Sequence, residues 1–102
     1  MAGYDNPGGS LIDGRQTVTT AGTRVQLSTT STAVLEVAIT AETDNTDVIV
    51  VGGSTVVASL STRRGTPLQA GETVVLGVND LAKVYLDSAV NTDGVTYTAV
   101  VA

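Results

Sequence analysis

Hydrophobic and polar positions alternate along much of this chain with the period of two that marks a strand half-buried in a sheet. The clearest run is Val34 to Ala41, where Leu35, Val37 and Ile39 share one face and Glu36, Ala38 and Thr40 the other, so the first set is expected in the core. Thr73 to Val78 repeats the pattern with Val74, Leu76 and Val78. Further strands are predicted over Gln16 to Thr20, Thr23 to Ser28, Asp47 to Val51, Thr55 to Leu60, Lys83 to Asp87 and Val95 to Val101. Two of the intervening turns predict hairpins: Gly52-Gly53, because glycine enters positive φ freely, and Asn91-Thr92-Asp93-Gly94, because of its Asp-Gly. Thr66 to Glu72 reads as a short edge segment carrying Pro67, followed by a turn with Gly71 in the left-handed region. Asn79 to Ala82 predicts one helical turn capped by Asn79 or Asp80. Asp47 to Val51 is apolar on both faces, which predicts either a central strand covered on both sides or one whose outer face meets another subunit. Seven or eight short antiparallel strands without a long helix make the expected fold all-β: a single β-sandwich or β-barrel, jelly-roll-like.

The first sixteen residues break this rhythm. Their glycines, Pro7 and the Asp5-Asn6 pair bury too little apolar area to offset ordering entropy, so residues 1–16 are expected to form an extended N-terminal arm ahead of a sandwich spanning 17–102. Tyr4, Leu11 and Ile12 are its apolar exceptions. Either the arm is a disordered terminus, or it lies on a neighbouring subunit or partner with those three side chains as anchors. On the second alternative, deleting Ala2 to Asp13 is expected to leave the sandwich folded and weaken attachment.

Composition strengthens the fold expectation and narrows the chemistry. Val and Thr contribute 17 residues each, one third of the 102, and both are β-branched types that favour sheets. There is no Cys, His, Trp or Phe, which excludes thiol chemistry, imidazole acid–base catalysis, His/Cys metal cages and large aromatic platforms. The net charge of −5, with only Arg15, Arg24, Arg63, Arg64 and Lys83 as cations, disfavours nucleic acid as a partner. Seven of the ten acids are Asp, a balance that also suits a halophilic protein kept soluble at high salt. The N-terminus has no basic start or apolar run, and the longest apolar stretch is Val48 to Val51, so neither a signal peptide nor a membrane span is expected and the chain is read as made in the cytoplasm.

Few residues offer chemistry. Asp44-Asn45-Thr46-Asp47 and Asn91-Thr92-Asp93-Gly94 are oxygen-rich, which makes Asp44, Asp47 and Asp93 weak candidates for a hard cation. The same residue types build turns, and neither segment supplies the six ligands that calcium needs. Glu36 and Glu72 are the acids nearest in kind to a glycosidase pair, but no aromatic sugar platform accompanies them, and the hydroxyls have no activating base beyond Lys83. No catalytic residue and no cofactor is expected. Arg63-Arg64, the single basic pair, is read as a solvated loop or a contact to an acidic partner surface. Tyr85 is out of phase with Val84 and Leu86, so it faces away from the core and is a candidate interface anchor.

Several segments in order carry a resemblance. Val18-Thr19-Thr20-Ala21-Gly22-Thr23, then Val50-Val51-Gly52-Gly53-Ser54, Leu68-Gln69-Ala70-Gly71-Glu72-Thr73-Val74-Val75-Leu76, Val78-Asn79-Asp80-Leu81-Ala82-Lys83-Val84-Tyr85-Leu86-Asp87-Ser88-Ala89 and Asp93-Gly94-Val95 together resemble the small all-β virion proteins of tailed bacteriophages and archaeal tailed viruses, some of which are head decoration proteins. The resemblance spans about Thr17 to Val101, leaves the arm outside and brings no catalytic residues. It implies a virion structural subunit, a homotrimer on the head surface that binds major capsid protein and stabilises the assembled shell. Another virion part, such as a vertex turret, neck or tail component, or a surface carbohydrate- or receptor-binding module, is the alternative. Neither nucleic acid nor membrane is an expected partner.

Overall fold

A computed structural model describes residues 9–101. Eight strands run in chain order: β1 (Ser10–Val18), β2 (Val25–Gln26), β3 (Glu36–Ala41), β4 (Ile49–Gly52), β5 (Thr66–Leu68), β6 (Thr73–Leu76), β7 (Tyr85–Ser88) and β8 (Asp93–Val101). They form two four-stranded sheets, β1-β8-β3-β6 and β2-β7-β4-β5, in which every pairing is antiparallel. Four of the pairs are nested, β1 with β8, β2 with β7, β3 with β6 and β4 with β5, as in one long hairpin bent at the β4–β5 connection. Successive pairs alternate between the sheets, and the β3–β8 and β4–β7 pairings complete each sheet. This wrapped hairpin is the jelly-roll form of the β-sandwich.

The inward faces of both sheets share one core. Val18, Val37, Ile39, Ala41, Val95 and Ala99 come from the first sheet and Ile49, Val51, Leu68 and Leu86 from the second, all buried. Val74, Leu76 and Val78 pack at its margin on the face that their alternation predicts. Leu35 departs from expectation: it precedes β3 and is 60% exposed, while Ala41 takes the third inward place of that strand. Asp80 caps the 3-10 turn Leu81–Lys83 by accepting from the Ala82 N–H at 2.9 Å, and Leu81 is buried, as the capped-turn expectation requires. Pro67 lies in β5, an edge strand, and Gly71 has φ +84°, both as expected.

Three expectations are corrected. The arm ends earlier, because residues from Ser10 onward belong to the sandwich: β1 pairs with β8 over nine residues, from Ser10 opposite Val101 to Val18 opposite Asp93. Glycine misled the composition argument here. Gly14 lies opposite Tyr97, whose hydroxyl oxygen would be 2.5 Å from a Cβ at that position, so the ring covers the glycine and makes it compatible with an edge strand. Secondly, Gly52-Gly53 makes no hairpin into Thr55 to Leu60. Neither glycine has positive φ, and residues 53–65 form a loop with one isolated bridge, Val57 to Arg64, and a 3-10 turn at Leu60–Thr62. Thirdly, Asp93-Gly94 is no hairpin turn, since β7 and β8 lie in different sheets. Both residues belong to β8, where a Cβ on Gly94 would stand 2.7 Å from the Gln16 carbonyl oxygen, so glycine permits close approach of β1.

Candidate functional site

The outer face of the second sheet is built over by its own chain. Val50 in β4 pairs with Asp87 in β7, and the 53–65 loop folds back so that Val56, Ala58 and half-buried Tyr85 pack on Val50. Of the two readings of the doubly apolar strand, the structure selects the central strand covered on both sides. Gly65 makes the loop possible: its φ is +114°, and a Cβ there would lie 2.7 Å from the Val51 carbonyl oxygen and 2.8 Å from both Val50 Cγ1 and Val56 Cγ2.

Asp87 pins this loop from below. The residue is 2% exposed, and its carboxylate accepts N–H donors from Gly22 at 3.0 Å, Ser88 at 2.9 Å and Ala58 at 2.9 Å. From the rim, Arg24 donates to the Val56 and Ser54 carbonyls, each at 3.0 Å, and Arg63 donates twice to the Ala58 carbonyl, at 3.0 and 2.8 Å. Arg64 is exposed beside them. The three guanidinium groups, with Thr62 and Leu60, line one shallow depression whose lining includes no carboxylate. Leu60 is 81% exposed. Among the described residues the one ion pair within 4.0 Å is Arg15–Glu42, so none of these three arginines has a carboxylate oxygen within 4.0 Å.

No family model matches the chain, and no curated protein matches it.

The acidic segments come together as a structural lock. Asp93 is buried, and its two carboxylate oxygens accept the N–H groups of Thr46 at 2.9 Å and Asp47 at 3.0 Å. Asn45 exchanges two hydrogen bonds of 2.9 Å with Gly94. Asp44 is exposed, and Asp47 turns its carboxylate back to the Val48 N–H at 2.7 Å. Among the described residues no group of three or more acidic, His or Cys side chains could hold a metal ion. Asp93 therefore spends its oxygens on holding the β3–β4 loop against β8.

The other predicted positions scatter. Ile12 packs against the chain's own core, whereas Leu11 is 70% exposed; Tyr4 lies outside the described residues. Tyr85 faces away from the main core as expected, yet it is covered by its own loop. Glu36 is exposed, and Glu72 accepts the Gln69 N–H within its own turn. Arg24, Leu60 and Asp87 were not anticipated. Asp87 carried a signal, since an acid next to Leu86 in the strand read over Lys83 to Asp87 has to be satisfied by donors once that strand is buried. Arg24 and Leu60 carried none, because the two are brought together only by the return of a long loop.

Proposed function

We propose that this chain is a virion structural subunit, a decoration protein that binds the outside of the assembled head of a tailed virus as a homotrimer and stabilises it. The observation that carries the proposal is a pair of faces with exposed apolar side chains on opposite sides of one sandwich. On the first sheet, Leu11 aligns with Val100, and Val75 with Ala38, along the face turned away from the core, and Leu11 and Val75 are 70% and 60% exposed. On the far side, the loop over the second sheet presents Leu60 among three arginines. A cement subunit needs such a pair, one surface for its own copies and one for the shell. Binding only the assembled state then lowers that state's free energy by mass action. The succession of segments resembling small virion proteins supports the same function. Cryo-imaging of intact particles tests it: density for this chain on the outer head, in threefold clusters, is the expected result. Density restricted to a vertex, neck or tail ring would overturn the head assignment.

A further inference from the structure

We propose that the arginine-lined depression on the 53–65 loop is the docking site for an acidic protein surface, one that presents carboxylates around an apolar side chain. The inference deepens the virion reading by naming the contact face and the chemistry of what it meets. Its first support is charge: three of the five cations in a chain of net charge −5 gather at one place, with no carboxylate in the lining. The second is preorganisation. Arg24 and Arg63 are held by loop carbonyls, Asp87 fixes the loop on the sheet and the Val57–Arg64 bridge joins its two limbs, so little entropy of the loop or of these two side chains remains to be lost on binding. The third is composition. An exposed Leu60 amid guanidinium groups matches the apolar-and-arginine character of protein interfaces. Planar guanidinium forks add bidentate recognition of carboxylates.

A phosphate backbone offers the same sign of charge but no apolar complement to Leu60, and the acidic remainder of the chain would repel a long duplex. The length of the 53–65 loop carries Leu60 and Arg63 across the sheet face to Arg24.

The test uses the isolated, isotopically labelled protein and a synthetic peptide of glutamates flanking a central leucine, followed by backbone and arginine Nε–H resonances. Shifts confined to Arg24 and residues 60–64, weakening as salt rises, are expected. Arg64→Glu is expected to lower affinity at least about tenfold; its side chain donates no hydrogen bond within the described residues, so the fold is expected to be retained and a thermal melt verifies it. Lys83→Glu, away from the depression, should leave binding unchanged. Absence of shifts at the depression at about millimolar peptide, or equal loss on Lys83→Glu, would overturn the proposal. A short DNA duplex binding there more tightly than the peptide would also overturn it and identify a phosphate site. Because particle imaging tests the virion reading and this titration needs no particle, the failure of one is distinguishable from the failure of the other.

Discussion

Buried carboxylates hold this molecule together at the residue scale, and each does so by collecting backbone N–H groups from segments distant in sequence. Asp87 satisfies donors from the Gly22 turn, the 53–65 loop and its own strand. Asp87→Ala would orphan all three, and a loss of about 3 kcal/mol or more is expected in urea unfolding. Asp80 works similarly nearer the surface, accepting from the Ser31 hydroxyl, the Thr32 N–H at 2.9 Å and the Ala82 N–H at 2.9 Å. The Ser31 hydrogen bond foremost, then those from the Ala82 and Thr32 amides, holds its carboxyl below the ordinary value of 3.8. A depressed folded-state pKa stabilises the fold above the unfolded pKa, and that contribution disappears as pH falls through the folded value. Melting temperature followed from about pH 5 down to about pH 2 should therefore fall less steeply for Asp80→Asn than for the parent. Equal slopes would show that Asp80 does not contribute to acid unfolding.

Among the elements, β1 and the 53–65 loop depart furthest from what local pattern predicts. With Ser10 to Asp13 paired to Val101 to Thr98 and Ile12 packed on the core, deletion of Ala2 to Asp13 removes four of the nine residues of an edge strand. Such a deletion is expected to lower the melting temperature substantially, contrary to the arm expectation; an unchanged melt would mean that β1 does not stabilise the sandwich. In the loop, Gly65→Ala meets a positive φ and three contacts under 3.0 Å. A cost of about 1–3 kcal/mol is expected, with faster amide exchange at Val56 and Ala58 as the loop lifts from Val50. Strands with clean alternation, β3 and β6, could be read directly because one face of each is solvated. The loop could not, since Val56 and Ala58 bury against a face that exists only after β4, β5 and β7 have assembled.

At the scale of the whole molecule, the nested pairs bring the first and last described strands together: β1 meets β8 across nearly the full described length. Closing such distant contacts is slow, so refolding in the range of about milliseconds to seconds is expected by stopped-flow. Microsecond folding would be incompatible with a transition state that already joins these strands. If the acidic surface reflects a high-salt habitat, melts in molar salt should exceed those in dilute buffer. The sequence by itself determined the all-β class, core positions such as Val37, Ile39 and Leu86, the edge role of Pro67 and the capped turn, because alternation, β-branching and side-chain capping act within a few residues. It also determined the net charge of −5. Which strands share a sheet, that the chain crosses between sheets after Ser88 so that Asp93-Gly94 opens β8 rather than turning a hairpin, and that Arg24 meets Arg63 and Arg64 were decided only by the tertiary structure. Those outcomes depend on burial, on hydrogen-bond satisfaction and on close approach between residues tens of positions apart, and local periodicity carries no record of such distances.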